Sequence, residues 1–221
     1  MIGGPAPGQG ARVMATPRSR LPTIVARAQA AAGPWGKLQF CQRSEGLVRL
    51  RDLVSQQSRE IARAIARGTG KPSSDALLVD VARSIDTLDA CIAYASDARV
   101  DQPVPETISL LGLLGAYGPA LLPCTPGAVV CVIAPVGSPF QLALTPAVLS
   151  LAVGNAVIVK PSSSVPRVAE LLEWLLDEAL ADFSGLAQVV PGSGAVGADL
   201  ANCDGVDAVF STKPAAGRVA T

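Results

Sequence analysis

The chain has 221 residues, and 49% of them are apolar, enough to bury the core of one large domain or two small ones. Eighteen basic residues balance eighteen acidic residues, so no net charge attracts nucleic acid or an anionic membrane surface. The sequence contains no histidine, which excludes imidazole bases, imidazole metal ligands and Ser-His or Cys-His dyads.

Charge is unevenly distributed along the chain. Residues 1–70 contain eleven basic and three acidic residues, whereas 71–221 contain seven basic and fifteen acidic residues. The first eight residues are rich in Gly and Pro, so we expect residues 1–20 to form a disordered arm. An acid-poor start with arginines also fits an organelle transit sequence, but the Gly and Pro content disfavours the amphipathic helix that such a signal needs.

Helical periodicity follows in the segment 44–98. An amphipathic helix is predicted from the spacing of Leu47, Leu50, Val54, Ile61 and Ile65. The Gly-Thr-Gly-Lys-Pro run at 68–72 ends it, and Ser73 and Ser74 are candidate caps of a second helix. The buried stripe of that second helix is expected to contain Leu77, Leu78, Val81, Ile85, Leu88 and Ile92. We therefore predict two packed helices, followed over 100–127 by extended segments and turns.

No charged residue occurs from Thr107 to Val159, a length that allows two membrane spans. Prolines interrupt this run at 119, 123, 126, 135, 139 and 146, and the proline-free stretch 147–160 is too short to cross a bilayer. A parallel sheet covered on both faces has equally uncharged strands. We favour the buried sheet and expect no membrane partner; a membrane-associated protein is the less favoured alternative.

Beyond residue 127, short β-branched runs alternate with helical ones. Strands are predicted at 128–133, 156–159, 187–190 and 206–210, and helices at about 140–152, 165–181 and 195–202. This alternation predicts an α/β fold with an open parallel Rossmann-like sheet and helices on both faces. Ligands of such sheets bind beyond the carboxyl ends of the strands.

The segments that follow the predicted strands are therefore candidate site residues. These segments are 134–139, 160–163, 191–194 and 211–217, and they contain glycines, hydroxyls and the two lysines Lys160 and Lys213. Glycine permits close backbone approach to a ligand, and a helix N-terminus attracts phosphate. Each segment alone is better explained as a turn, but together they indicate a site for an anionic, sugar-bearing cofactor.

The five cysteines, at 41, 91, 124, 131 and 203, include no C-x-x-C pair. Neither a zinc site nor a disulfide framework is indicated. Apolar flanks around Cys91 and Cys131 indicate small buried side chains. We expect a reduced, cytoplasmic setting.

Four motifs resemble the aldehyde dehydrogenase superfamily in order and spacing. They are Gly-Thr-Gly-Lys-Pro at 68–72, Gly-Asn-Ala-Val-Ile-Val-Lys-Pro-Ser at 154–162, Val-Val-Pro-Gly-Ser-Gly at 189–194 and Val-Asp-Ala-Val-Phe-Ser at 206–211. The stretch from about Val25 to Thr221 resembles the amino-terminal, coenzyme-binding part of such an enzyme. The resemblance implies NAD or NADP as cofactor and hydride transfer to it from a thiohemiacetal between an aldehyde and an enzyme cysteine.

The resemblance also implies individual cofactor contacts. Lys160 matches the lysine that hydrogen-bonds the adenosine ribose, and Gly192 matches the glycine beside the adenine. Ser163 stands where many NAD-preferring members have a Glu, so we expect a slight preference for NADP or use of both cofactors. Further cofactor contacts are expected at Ile133, Ala134, Pro135, Ser162, Phe210, Thr212 and Lys213.

Two local departures from the family pattern bear on function. Gly137 occupies the position of the family Asn that helps hold the oxyanion, with Ser138 or Gln141 as candidate replacements. Thr212 and Lys213 replace a Gly-Ser turn under the pyrophosphate. A β-carbon at Thr212 would hinder backbone approach, whereas Lys213 would pair with phosphate, and both alternatives stay open.

The family's nucleophilic Cys and general-base Glu follow the last matched motif and are not among these 221 residues. We therefore expect residues 21–221 to be an incomplete NAD(P)-binding domain of an oxidoreductase, inactive alone, with a small aldehyde as substrate only if completed. The alternative is a non-catalytic remnant that acts as a binding or assembly module and self-associates through an open sheet edge at 206–210. A gene fragment or a misplaced stop would give the same sequence.

Overall fold

Four short parallel strands form an open sheet in this protein. A computed structural model describes residues 14–96 and 126–211. The strands in chain order are β1 (Val129–Ile133), β2 (Ala156–Lys160), β3 (Ala187–Val189) and β4 (Ala208–Ser211). Their spatial order is β3-β2-β1-β4, and all three pairings are parallel. This arrangement confirms the predicted Rossmann-like sheet.

The central strands are buried along nearly their whole length. Every residue of β2 is buried, as are the first four residues of β1. The register pairs Ile133 with Lys160 on one side and with Ser211 on the other. The carboxyl ends of β1, β2 and β4 therefore lie at one edge of the sheet, which is where the sequence places the candidate site.

Seven helices pack around this sheet in the described ranges. They are α1 (Leu21–Gly36), α2 (Phe40–Gln56), α3 (Ser58–Thr69), α4, α5 (Gln141–Val153), α6 (Pro166–Ala179) and α7 (Gly194–Ala201). Helix α4 is continuous but mixed, with Ser73–Asp75, a π-helical Ala76–Ala82 and Arg83–Ser96. A short 3₁₀ turn, Arg18–Arg20, precedes α1.

The helical segment before the sheet differs from the prediction at two places. The sequence analysis assigned no element to the residues of α1. The single helix predicted from Leu47 to Ile65 is two helices, because the chain bends at Gln57. The polar run at 55–58 has no apolar side chain to keep the helix straight, and the bend lets both α2 and α3 contact α6. The end predicted for this segment is confirmed at Gly70, which caps α3 with a left-handed φ of 78°.

The predicted buried stripe of α4 is wrong at its first turn. Leu77 and Leu78 are 37% and 65% exposed, whereas Asp80 is fully buried. The cause is the π-helical stretch, whose wider turn shifts the phase of the side chains relative to an α-helix. Pro72, rather than Ser73 or Ser74, occupies the N-cap position, and no side chain caps the helix there.

The described part of the predicted amino-terminal arm contacts the segment after β3 and helix α7. The backbone N–H of Thr16 donates to the carbonyl of Pro191 at 2.8 Å, and Arg18 pairs with Asp199 at 2.7 Å. The remainder of the predicted arm, residues 1–13, lies outside the described residues, as does the predicted extended segment as far as residue 125.

The uncharged run that allowed a membrane interpretation is described from residue 126 onward. There it forms β1, α5 and β2, whose side chains are mostly buried against the rest of the fold. Among the residues with described structure, no helix combines the length and the apolar character needed to cross a membrane.

Candidate functional site

The last residue of β2 is a buried lysine. Lys160 is only 5% exposed, and its Nζ has no hydrogen-bond or ion-pair partner among the described residues. Loss of hydration lowers the pKa of this ammonium, and the nearby Cys131 thiol acts in the opposite direction. Nζ is not among the fully buried side-chain nitrogens that lack a partner, so it still reaches the surface, where a ligand can accept a hydrogen bond from it.

Helix α7 lies close to this lysine because residue 197 is a glycine. A β-carbon at Gly197 would lie 3.3 Å from Cδ of Lys160 and 3.8 Å from Cδ1 of Ile133. The aliphatic stem of Lys160 therefore runs against the helix backbone. A larger side chain at 197 would displace either the lysine or the helix from the ends of β1 and β2.

A glycine fingerprint that the sequence analysis missed opens α7. Gly192, Gly194 and Gly197 follow β3 with the G-x-G-x-x-G spacing of dinucleotide-binding turns. A β-carbon at Gly192 would lie 2.9 Å from Cβ of Val196, so the turn packs tightly on the helix. Ser193 does not cap α7 with its side chain. The motif was identifiable from the sequence, because Gly192 to Gly197 follow a predicted strand and lead into a predicted helix.

Beside these glycines is a hollow of about 150 Å³. It lies between the ends of β2 and β3 and the first turns of α6, and it brings together the predicted site residues Ser162, Ser163 and Gly192. The other lining residues are Ala15, Pro161, Pro166, Ala169, Pro191 and Ser193. Ligand pockets usually measure about 300–1,000 Å³, so this hollow has room for part of a dinucleotide.

The residues after β1 continue the edge of the site. The N–H of Ala134 donates to the carbonyl of Lys160 at 3.0 Å, which keeps Ile133, Ala134 and Pro135 beside the end of β2. Phe210 is buried in β4 opposite Val132. Thr212 and Lys213 lie outside the described residues, so the structure does not place them.

A larger groove of about 830 Å³ shares Ala15 and Pro191 with the hollow but has a different charge. Glu170, Glu173 and Asp177 line it. Burial and neighbouring carboxylates raise the pKa of Glu173, and burial raises that of Asp177. Arg20 and Arg27 also line this groove, so its charges are mixed. The smaller hollow is the better cofactor candidate because it, and not the groove, is lined by Ser162, Ser163 and Gly192.

Comparisons with known proteins identify the family of this chain. A family model described as the aldehyde dehydrogenase family matches residues 7–218. This chain belongs to the aldehyde dehydrogenase family. It is 31% identical over 186 residues to betaine aldehyde dehydrogenase 2 of Rhizobium meliloti, covering 80% of this chain and 34% of the relative. A dimeric NADP-preferring aldehyde dehydrogenase of Mus musculus is 32% identical over 162 residues, covering 72% of this chain and 34% of the relative. The chain thus spans about a third of the length of these relatives.

Solved structures of aldehyde dehydrogenases share the fold. KauB from Pseudomonas aeruginosa superposes with a TM-score of 0.72 at 27% identity, over 90% of this chain and 39% of that one. The P. syringae indole-3-acetaldehyde dehydrogenase AldA, solved with NAD+, gives a TM-score of 0.71 at 27% identity and the same coverage. GapN from Methanocaldococcus jannaschii, solved with NADP, gives 0.72 at 22% identity over 90% of this chain and 42% of that one. At 22% identity, the match to GapN shows a shared fold only.

The four described cysteines of this aldehyde dehydrogenase family member do not line the hollow. Burial raises the pKa of Cys91 and of Cys131 to about 12, so both are thiols at neutral pH, as their apolar flanks predicted. Cys41 is exposed and Cys203 is partly buried, while Cys124 lies outside the described residues. No group of three potential metal ligands occurs in the part of the chain that the structure describes.

Removing the buried charge of Lys160 should stabilise the ligand-free protein. Lys160→Met keeps most of the stem and removes the partly desolvated ammonium, so we expect the free energy of unfolding at pH 7 to rise by about 1 kcal/mol, the low end of the penalty for a polar group without a partner, because solvent still screens the charge. The pKa of Lys160 is lowered from 10.5 on folding, so the unfolded chain binds more protons just below pH 10.5. The free energy of unfolding of the wild type therefore rises as the pH increases toward 10.5. The difference in stability between Lys160→Met and the wild type becomes smaller over the same range.

Denaturant titrations at pH 7 and pH 10 measure this difference. Lys37→Met, at an exposed position, is the matched control and should change stability little. A Lys160→Met protein less stable than the wild type at pH 7 would show that the ammonium has a partner in the free protein.

Proposed function

We propose that this chain binds NADP, and NAD less tightly, as the coenzyme-binding part of an aldehyde dehydrogenase family protein. The observation that carries the proposal is the largely buried side chain of Lys160, whose ammonium has no acceptor among the described residues. Lys160 does not itself line the hollow, but it directly precedes Pro161, which does. A ribose hydroxyl or a phosphate oxygen would accept a hydrogen bond from the Lys160 ammonium and repay the cost of its burial.

The residues present fit a dinucleotide. Gly197 leaves the space in which the lysine stem lies, and the hollow lined by Ser162, Ser163 and Gly192 would hold the adenosine half. The uncapped N-terminus of α7 would attract phosphate. We assign the nicotinamide half to the side of Ile133, Ala134 and Pro135, with Phe210, Thr212 and Lys213 as further contacts. When bound, NAD(P) would supply the acceptor for a hydride from an aldehyde adduct.

The preference for NADP rests on Ser163. Its side chain is exposed at the rim of the hollow and carries no charge to repel a 2′-phosphate. A carboxylate at this position would accept hydrogen bonds from the two free ribose hydroxyls of NAD and repel the phosphate of NADP.

Ser163→Glu should therefore weaken NADPH binding by about tenfold, the effect expected for a newly placed like charge, and leave NADH binding equal or tighter. Ser164→Glu, one residue further from the hollow, is the control and should change neither affinity by more than about twofold. Isothermal titration calorimetry with both nucleotides measures the change. Equal weakening of NADH and NADPH by Ser163→Glu would place the 2′-phosphate elsewhere.

We also propose that the chain alone does not oxidise aldehydes. Gly137 supplies no side-chain donor for an oxyanion, and loss of one such donor typically costs about 10²- to 10³-fold in rate. The two most buried cysteines are protonated at neutral pH. Neither of these two thiols is the activated nucleophile that formation of a thiohemiacetal needs.

Incubation of the purified chain with NADP+ or NAD+ and short aliphatic or aromatic aldehydes tests this part. We expect NADPH binding by calorimetry and no aldehyde-dependent formation of NADPH or NADH. Measurable turnover that depends on the protein, the cofactor and the aldehyde together would contradict the inactivity.

A binding or assembly module without a cofactor is the second candidate. It is favoured by the sheet topology, because β4 pairs only with β1 among the described strands. Analytical ultracentrifugation with and without NADPH separates the two. Self-association without any NADPH binding would support the module, and NADPH binding by a monomer would support the coenzyme domain.

A further inference from the structure

A fully buried carboxylate lies outside the hollow, in the π-helical part of α4. Oδ2 of Asp80 accepts from Nζ of Lys71 at 2.9 Å, and Oδ1 lies 3.3 Å and 3.4 Å from the backbone N of Phe140 and Gln141. Phe140 and Gln141 form the start of α5, where free N–H groups and the helix dipole favour a negative charge. Asp80 thus joins α4 to the beginning of α5.

The partner of Asp80 reaches one residue of the turn after β1. Nζ of Lys71 also donates to the carbonyl of Gly137 at 2.6 Å. Lys71 follows the end of α3, and its side chain is 22% exposed. One ammonium therefore connects a buried carboxylate to the middle of the turn that joins β1 to α5.

That turn has few other attachments. At its start the N–H of Ala134 donates to Lys160, and at its end the carbonyl of Ser138 accepts from Leu142. Gly137 lies between these points with no atom within 4 Å of the position its β-carbon would take. The contact with Lys71 is thus the hydrogen bond that holds the centre of the turn in the described structure.

The local helix geometry serves the placement of Asp80. The π-helical stretch turns Asp80 inward, while Leu77 and Leu78 on the same stretch are exposed to solvent. Exposing large apolar side chains costs free energy, and π-helical turns are rare and frequent at functional sites. The π-helical stretch therefore has one clear consequence, which is that Asp80 is buried where it can pair with Lys71.

We propose that Lys71 and Asp80 are positioning residues that fix the turn after β1 for the nicotinamide half of the dinucleotide. The inference rests on the proposed function. Strand β1 lies directly beside β2, so a dinucleotide whose adenosine half is held at Lys160 extends along the sheet edge toward Ala134 and Gly137. A turn that is already held in one position presents a fixed surface to the nicotinamide half. Binding then does not have to order the turn, which would cost free energy.

The test compares NADPH with 2′,5′-ADP, which contains only the adenosine half. Lys71→Met should weaken NADPH binding by about tenfold, as expected for the loss of a charged hydrogen-bonding group, and leave 2′,5′-ADP binding unchanged. Lys37→Met is the control for a lost surface charge and should alter neither affinity. Lys71→Arg, which can still reach an acceptor, should recover most of the NADPH affinity.

Hydrogen–deuterium exchange without ligand gives a second readout. Lys71→Met should speed exchange at residues 136–142 while the strands keep their protection. Asp80→Asn keeps the shape of the buried side chain and should act in the same direction if Lys71→Met does not fold.

The outcomes separate this inference from the proposed function. Equal weakening of NADPH and 2′,5′-ADP, or unchanged affinity for both, would overturn the positioning role. Exchange that is unchanged, or faster throughout the chain, would overturn it as well. If the wild type binds neither ligand, the proposed function fails, and the exchange result alone decides whether the pair holds the turn.

Discussion

The side chain of Lys160 is largely buried at the carboxyl end of a fully buried strand, and no described residue pairs with its ammonium. Proteins normally pair such a charge or keep it in water, because desolvation without compensation is costly. The neighbouring elements of the site are those that hold the Lys160 side chain at this position. The register of β1 against β2 sets the depth of the lysine, and Gly197 lets α7 pass close enough to cover its stem.

The proposed site has two supports of different kinds. The adenosine side is built on the sheet itself, through Lys160 and the glycine turn that opens α7. The nicotinamide side depends on the helical layer, since Lys71 and Asp80 connect α4 to the turn after β1. Gly137 leaves that turn without the amide side chain expected for oxidation of an aldehyde.

Much of the fold could be predicted from local patterns. The four strands lie within two residues of their predicted bounds, because β-branched runs there are bounded by Gly, Pro or polar residues. Lys160, Ser163 and Gly192 could be proposed as site residues because they lie in the segments at the ends of predicted strands and match positions of the family pattern. The family resemblance was also confirmed, since its motifs recur in order over most of the chain.

Other features depend on information that a local pattern does not contain. A regular 3.6-residue period placed Leu77 inside and gave no reason to bury Asp80, because the π-helical phase shift depends on tertiary contacts. The link between Lys71 and Gly137 spans 66 residues and is not visible in either segment alone. The glycine spacing from 192 to 197 was, by contrast, present in the sequence and was overlooked.

A crystal structure of the chain with NADPH tests the central role of Lys160 most directly. We expect the adenosine half in the hollow, with a ribose or 2′-phosphate oxygen within hydrogen-bonding distance of Nζ of Lys160. Nucleotide density in the groove lined by Glu173 and Asp177, or a bound nucleotide with Lys160 turned away from it, would contradict that role.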